Sequence, residues 1–215
     1  MNRNEASRIG AGQSTPGSGC SDVVRCDWAQ RGPATMRDYH DVEWGVPVHE
    51  DRRLFEFLCL EGVQAGLSWR TVLDKRARYR ERFHDFDISR VAAMSDAALA
   101  DCLQDAGLVR NRLKIRAMRE NARQALAVIA EHGSLHAWLW SLAGSAPRVN
   151  HWSAAAQVPA WTPQSRLMSR ALHKRGFRFV GPTICYAFMQ ATGMVNDHLV
   201  TCFRHAACTR LATAE

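Results

Sequence analysis

Hydrophobic residues recur at helical spacing along most of the chain. In the segment 51–66, Leu54, Phe57 and Leu58 fall on one face with Ala65, and this pattern predicts an amphipathic helix. Residues that cap or terminate helices bound further segments of the same kind, which predict helices at 69–83, 96–106, 110–131, 134–144, 165–176 and 182–193. Because no strand with alternating hydrophobicity is found, the predicted fold class is all-α.

The remaining segments are polar or rich in proline. Residues 147–163 contain three prolines and are predicted to form a loop, whereas an asparagine can cap a last short helix over 196–202. Residues 1–22 are polar and rich in glycine and serine, which is typical of a flexible tail. We expect a folded domain over 23–205 and a second flexible tail over 206–215.

The composition is that of a globular protein with an excess of positive charge. The chain has 215 residues, of which 47% are hydrophobic, and 28 Lys and Arg against 21 Asp and Glu give a net charge of +7. No run of about 20 apolar residues and no apolar signal core are found, so we expect a soluble cytoplasmic protein without a membrane partner. Seven widely spaced cysteines, an odd number, make a poor disulfide framework.

Basic residues are concentrated on two of the predicted helices, at 75–82 and 110–123. A solvated helix face with ion pairs explains either run alone, but two such helices in a small domain favour contact with a phosphate backbone. The segment 176–183, GFRFVGPT, joins two helices, and its glycines would expose backbone N–H groups at a helix N-terminus, where anions bind. A plain helix turn explains this segment equally well.

Two cysteines and two histidines near the ends of the domain could bind one zinc ion. Cys26 and His40 lie near its start, and His198 and Cys202 lie near its end, where the predicted helix would place both on one face. Two thiolates and two imidazoles form a closed tetrahedral set, so the site would be structural and would join the chain ends as a clasp. The spacing does not match a zinc finger, and core packing of His198 and Cys202 is an alternative. A third interpretation places His40 and Asp41 in a catalytic metal site of a hydrolase.

An acidic residue falls on the hydrophobic face of the helix predicted at 51–66. Glu61 would be buried there, which is costly unless the carboxyl group is paired or functional. A salt bridge or a capping role near the helix end is the alternative. Four aromatic residues accompany this acid: Trp28, Tyr39, Trp44 and Trp69. Such residues are usually core, but beside a buried acid they could stack on a flat cationic ligand such as a purine extruded from DNA.

Three segments resemble the 3-methyladenine DNA glycosylase I family of constitutive bacterial repair enzymes. They are YHDVEWGVP at 39–47, LEGVQAGLSW at 60–69 and KRGFRFVGPTICY at 174–186. The resemblance covers 26–202, and 176–198 is more distantly similar to the helix-hairpin-helix of the wider DNA glycosylase superfamily. It implies a helix-hairpin-helix DNA glycosylase-like fold with a zinc clasp that joins the N- and C-terminal segments.

The resemblance implies roles for the candidate residues of the pocket and the metal site. Glu61 matches the acid that hydrogen-bonds the methylated adenine, and Tyr39 and Trp69 match the aromatics that sandwich it. Trp28 and Trp44 resemble further pocket wall. The residues that match the family's ligands for one structural Zn²⁺ are Cys26, His40, His198 and Cys202.

The resemblance implies DNA contacts in two places. Gly66 and Leu67 match the loop that enters the gap left by the extruded base, and backbone N–H groups of the hairpin match those offered to phosphate, at Val180, Gly181 and Thr183. The family commonly has a tyrosine where this chain has Met36, so one pocket wall is expected to differ.

The function implied is hydrolysis of the N-glycosidic bond of 3-methyladenine in alkylated double-stranded DNA, which leaves an abasic site. The superfamily's usual catalytic aspartate is replaced by Asn196, which is normal for this family, and Asp197 is expected to serve locally. No lysine lies in the hairpin where lyase-type relatives have theirs, so a monofunctional glycosylase without lyase activity is expected, acting as a monomer at the nucleoid. The alternative function is a non-catalytic DNA-binding protein that uses the hairpin and the basic helices.

Overall fold

Most helices of the fold begin at a residue whose side chain binds free backbone N–H groups. In the computed structural model, which describes residues 23–213, Ser68, Ser95, Asn111 and Ser134 accept such hydrogen bonds at the starts of four helices. The α-helices of the described part are α1 Asp27–Gln30, α2 Ala34–Val42, α3 Asp51–Gln64, α4 Trp69–Arg82, α5 Ile88–Ala92, α6 Asp96–Gln104, α7 Arg112–His132, α8 Leu135–Ala143, α9 Pro163–Lys174, α10 Pro182–Ala191 and α11 Phe203–Thr213.

Extended structure is limited to two short strands in the described part of the chain. β1 Arg148–Val149 pairs in parallel with β2 Val195–Asn196, and single turns of 3₁₀ helix lie at His84–Phe86 and Ala155–Gln157. The segment predicted as a loop at 147–163 therefore contains one strand and one 3₁₀ turn. The prediction of a mostly helical fold is confirmed.

Helix α3 is the centre of the core. Its buried residues point in all directions because it packs against α4, α7, α8 and α10. Leu54, Phe55 and Leu58 have no exposed surface. None of the helices in the described range 23–213 is long and apolar enough to cross a membrane.

Two predictions about the C-terminal part are wrong. The segment 196–202 is not a helix, because Asn196 lies in β2 and its side chain accepts from the backbone of His198 and donates to the carbonyl of His205. The flexible tail predicted from residue 206 is instead helix α11 as far as Thr213, fixed by these contacts and by buried Cys208. The other predicted tail, 1–22, lies outside the described residues.

The first of the two hairpin helices begins earlier than predicted. Thr162, rather than Ser165, caps α9, with Pro163 at the first helical position, where a missing N–H group costs nothing. α10 begins at Pro182 as predicted and packs against both α9 and α3.

A buried ion-pair network joins α2, α3 and α4. The guanidinium of Arg76 on α4 lies 2.8 Å from Glu56 of α3 and 2.9 Å from Glu43, which ends α2. Arg53 and Arg80 also bind Glu56. Burial alone would raise the pKa of Glu56, but hydrogen bonds from Arg76 and Arg80 outweigh it and hold that pKa below its usual range.

The basic side chains of the run at 75–82 bind other groups of the protein. Lys75 donates to the carbonyl of Ala106, and Arg78 and Arg82 both pair with Asp105. Together with the network around Glu56, these contacts engage all five basic side chains of the run. The prediction that this helix serves as a phosphate footprint stays a prediction, although four of its five basic side chains already pair with acids of the fold.

We expect Arg76→Met to lower the free energy of unfolding by about 3 kcal/mol, because it removes the buried cation that binds Glu56 and Glu43 together. Arg52→Met is the matched control, since Arg52 is half exposed and pairs with two exposed acids. The control is expected to change stability by at most about 1 kcal/mol. Urea unfolding of both variants measures the difference, and equal effects would show that the buried network adds nothing.

Candidate active site

A cavity of about 240 Å³ opens where α2, α3, α4 and α10 meet. Most small-molecule sites range from roughly 300 to 1,000 Å³, so this one suits a ligand smaller than a drug molecule. The structure brings Glu61 and the four predicted aromatic residues into it. The lining residues are Trp28, Met36, Tyr39, Trp44, Glu61, Gln64, Trp69, Ala187 and Gln190.

Glu61 is a buried acid with an unused oxygen. Its side chain is 3% exposed, and Oε2 has no hydrogen-bond partner among the residues of 23–213. Burial raises the pKa of Glu61 to about 8, so the group is mostly a neutral carboxylic acid at pH 7. An unpaired buried polar atom costs about 1–3 kcal/mol, which a ligand that binds it would recover. The alternative role predicted for Glu61 was a salt bridge, and its carboxyl group forms none within residues 23–213.

The aromatic walls contact one another in this state. The ring centroids of Tyr39 and Trp69 lie 5.3 Å apart with planes tilted by 47°, and those of Trp28 and Trp44 lie 5.2 Å apart edge to face. A purine stacked between two rings needs about 7 Å, twice the base-stacking distance of roughly 3.4 Å. Tyr39 and Trp69 would therefore have to separate to sandwich a base. Nε1 of Trp69 is also buried without a partner in the described part of the chain.

The pocket has polar wall residues that the sequence does not single out. Gln190 comes from α10, and its amide donates to the buried carboxylate of Asp197 at 2.8 Å. Asp197 also accepts hydrogen bonds from three other side chains, those of Asn150, Trp152 and Tyr186. Asp197 therefore acts locally, as its position predicts, and it does not line the cavity. No local signal marks Gln190, because only the packing of α10 on α3 brings it to the pocket.

The four predicted metal ligands lie together, although Cys202 and His198 are not on a helix. Their ligand atoms all lie within 4.8 Å of one another, and all four side chains are buried. Sγ of Cys202 is 3.5 Å from Nε2 of His40 and 3.6 Å from Nδ1 of His198. Zn–S and Zn–N bonds of about 2.3 and 2.0 Å put neighbouring tetrahedral ligands about 3.5 Å apart, so the group is spaced to hold such an ion.

The second nitrogen of each imidazole has its own acceptor. Nδ1 of His40 lies 2.8 Å from Asp41, which Arg25 binds in turn, and Nε2 of His198 lies 3.0 Å from the carbonyl of Trp44. These contacts fix the tautomer that turns the free nitrogen toward the thiols, as metal-binding histidines require. Burial holds the pKa of His198 below its usual range, which favours the neutral form.

The two thiols of the group affect each other's ionisation. The hydrogen bond between them raises the pKa of Cys26 and lowers that of Cys202. These shifts favour ionisation at Cys202, and the thiolate is the form of cysteine that binds metals. Neither cysteine forms a disulfide in the described part of the chain.

The metal-ligand group and the pocket share a wall. The ring of His40 packs edge to face on Trp28 at 5.2 Å, and that of His198 packs on Trp44 at 4.5 Å. Both tryptophans line the cavity from their other side. The four ligands therefore fix the positions of two pocket residues while taking no part in the cavity themselves.

The residues predicted to contact DNA lie in two turns. Leu67 is 38% exposed in the turn between α3 and α4, where Gly66 has a φ of +76° that a side chain would strain. In the hairpin Val180 is buried, Gly181 precedes α10, and Thr183 is exposed in its first turn. No side chain caps α10, so its first N–H groups are available to an anion.

The helical fold encloses a cavity of aromatic residues and one unpaired carboxyl oxygen, a lining suited to a small planar ligand. The chain belongs to the methyladenine glycosylase family, whose sequence profile matches residues 28–205. It is 48% identical over 180 residues to DNA-3-methyladenine glycosylase 1 of Escherichia coli strain K12, over 84% of this chain and 96% of that protein.

Solved structures of 3-methyladenine DNA glycosylase I are similar in fold to this chain. A crystal structure of 3-methyladenine DNA glycosylase I is similar with a TM-score of 0.82 and 48% identity, over 85% of this chain and 100% of that one. A variant of 3-methyladenine DNA glycosylase I in complex with 3-methyladenine is similar with a TM-score of 0.81 and 30% identity, over 84% and 97% of the two chains.

We expect Glu61 to make stability depend on pH. Because its pKa rises from 4.5 to about 8 on folding, the unfolded chain loses this proton first, and stability falls as pH rises from 4.5 through 8. Relative to Glu61→Gln, the protein should lose about 4 kcal/mol over this range. Unfolding of both proteins at several pH values measures this difference, in which the other titrating groups cancel. Parallel curves would mean that Glu61 ionises normally.

Proposed function

We propose that this protein hydrolyses the N-glycosidic bond of 3-methyladenine in alkylated double-stranded DNA and leaves an abasic site. The observation that carries the proposal is the unpaired oxygen of buried Glu61 in a cavity walled by aromatic rings, in a chain of this family. Relatives at 48% identity carry the name of this activity. We further propose that the protein acts as a monomer on chromosomal DNA and that the domain reaches from residue 23 through α11.

The chemistry requires little acid–base assistance from the protein. Methylation at N3 makes the purine cationic, so the glycosidic bond is already weak and its electrons return to the departing base. Water supplies the hydroxyl group at C1′. Extrusion of the base costs a few kcal/mol and least for a damaged base. The enzyme accelerates the reaction by gripping the purine more tightly as the bond breaks.

Each pocket residue has a proposed part in that grip. Glu61 hydrogen-bonds the edge of the purine, and Tyr39 and Trp69 separate to take the ring between them. Trp28 and Trp44 close the far wall. Asp197 does not activate water in this proposal, because its carboxylate already accepts four hydrogen bonds and is 2% exposed. No lysine of the hairpin 176–183 is present to form a Schiff base, so no strand cleavage is proposed.

The duplex is proposed to meet the two exposed turns. Leu67 would occupy the gap left by the extruded base, with Gly66 allowing the turn. The N-terminus of α10, with Gly181 and Thr183, would bind a phosphate through its free N–H groups, and Val180 would contribute its backbone only.

We also propose that Cys26, His40, His198 and Cys202 bind one structural zinc ion. Four protein ligands complete a tetrahedron, so the ion would crosslink the ends of the domain and take no part in the reaction. The pairing of His40 with Asp41 then orients a ligand, which argues against a catalytic metal site with an open position.

We expect the protein to release 3-methyladenine from methylated duplex DNA. Glu61→Gln should slow the release about 10- to 100-fold, because one hydrogen bond to a charged group contributes about 1.5–3 kcal/mol. Glu81→Gln, at an exposed acid on α4, is the control and should leave the rate unchanged. Chromatography of the released bases measures the outcome.

The alternative function, a non-catalytic DNA-binding protein, makes the opposite prediction. Such a protein would bind the methylated duplex and release no base, and Glu61→Gln would leave its affinity for free 3-methyladenine unchanged. Tryptophan fluorescence can report that affinity, because three tryptophans line the cavity.

We expect the purified protein to contain one zinc ion per chain, with two sulfur and two nitrogen ligands by X-ray absorption. Cys202→Ser should reduce the zinc content and lower the melting temperature, since the ion stabilises the folded state. Cys59→Ala, at a buried cysteine outside the group, should retain the metal. An additional oxygen ligand would support the open, catalytic site instead.

A further inference from the structure

Two basic residues of α7, Arg112 and Arg116, differ from those of α4 because their side chains have no partner within residues 23–213. Arg112 and Arg116 are exposed, and within 23–213 neither makes an ion pair or a side-chain hydrogen bond. The side chain of Arg178 in the hairpin is also exposed and unpaired in the same range. Three exposed arginines without an ion pair in this range therefore lie on α7 and in the hairpin, whereas four of the five basic side chains at 75–82 pair with acids.

Helix α7 connects the two turns proposed to touch DNA. Nζ of Lys114 donates to the carbonyls of Val63 at 2.7 Å and Ala65 at 2.6 Å, which holds the turn that presents Leu67. About two turns further along α7, the side chain of Asn121 binds both the N–H and the carbonyl of Arg178. The surface of α7 thus spans the distance from one turn to the other.

An open groove of about 470 Å³ runs along this surface. On its α7 side, residues at helical spacing form one face, and on the other side lie Arg178 and Phe179 of the hairpin. Leu113 is 67% exposed at its edge. The acid in the groove, Glu120, is already engaged by Arg119 and Arg123. The lining residues are Leu113, Arg116, Ala117, Glu120, Arg178 and Phe179.

We propose that this groove seats the sugar–phosphate backbone of one DNA strand next to the lesion. Arg116 and Arg178 bind its phosphates from the two sides, Leu113 contacts the sugars, and Arg112 continues the contact beyond the groove. The inference rests on the proposed function, because it extends the same DNA-bound surface from the turns at Leu67 and Gly181 across α7. A phosphodiester strand fits the combination of unpaired arginines and exposed apolar carbon better than an acidic peptide, which offers no sugar to Leu113.

The salt dependence of duplex binding tests the proposal. Binding of an abasic-site duplex is measured at several salt concentrations for the full chain, Arg116→Gln, Arg178→Gln and the double variant. Each lost phosphate contact should reduce the slope of log K against log salt by about 1, and the double variant should lose about 2. Arg210→Gln, at an exposed arginine on α11 that has no ion pair within 23–213, removes the same charge elsewhere and should keep the parent slope.

Free-base binding separates this inference from the proposed function. All four variants should bind free 3-methyladenine as the parent does, because none of the changed residues lines the cavity. If the parent releases 3-methyladenine but the groove variants keep its salt slope, the groove is not a DNA contact and only this inference fails. If the parent neither binds the duplex nor releases the base, the proposed function fails with it. A reduced slope for Arg210→Gln equal to that of Arg116→Gln would also overturn the assignment, since net charge alone would then explain the effect.

Discussion

The arrangement of the pocket depends on a buried cation that cannot leave its carboxylates. Arg76 is held between Glu43 and Glu56, and separation of these charges in the interior would cost several kcal/mol. The three residues belong to α4, to the end of α2 and to α3. Each of the same three helices also brings at least one residue to the cavity, among them Trp69, Tyr39 and Glu61. The positions of these side chains are therefore set by an interaction outside the pocket.

Because the three helices are held together outside the pocket, polar atoms inside the pocket can lack hydrogen-bond partners. Oε2 of Glu61 and Nε1 of Trp69 are buried without partners in the part of the chain that the structure describes, which core packing normally avoids. The metal-ligand group supports the opposite wall in the same manner, through the contacts of His40 with Trp28 and of His198 with Trp44. A ligand with donors and acceptors on one edge and aromatic faces above and below would satisfy what the fold leaves open. In this respect the site is preorganised, apart from the rings of Tyr39 and Trp69, which contact each other.

Local signals in the sequence were sufficient for the long helices, and they single out Glu61 and the four aromatic residues that the fold brings to the cavity. Ser68, Ser95 and Ser134 cap helices as predicted, and the periodic pattern predicts α3, α4 and α7 within a few residues. Interactions between distant segments could not be predicted: the pairing of the basic run 75–82 depends on Glu56 and Asp105. The segment 196–202 has a capping residue, yet the side chain of Asn196 binds α11 instead of starting a helix. Some residues, such as Gln190, reach the cavity only because helices pack together, and the sequence around them gives no local signal of that position.

The metal-ligand group has a consequence for the order in which the protein can fold. His198 lies 172 residues after Cys26, and Cys202 follows it, so the cluster cannot form until nearly the whole domain has left the ribosome. Synthesis proceeds from the N-terminus at about 5–20 residues per second, and domains generally fold as units. Trp28 and Trp44 are made early, but the histidine ring that holds Trp44 is made among the last. The binding cavity is therefore completed at the end of translation, and a chain that stops before residue 198 carries the aromatic residues without the wall that positions them.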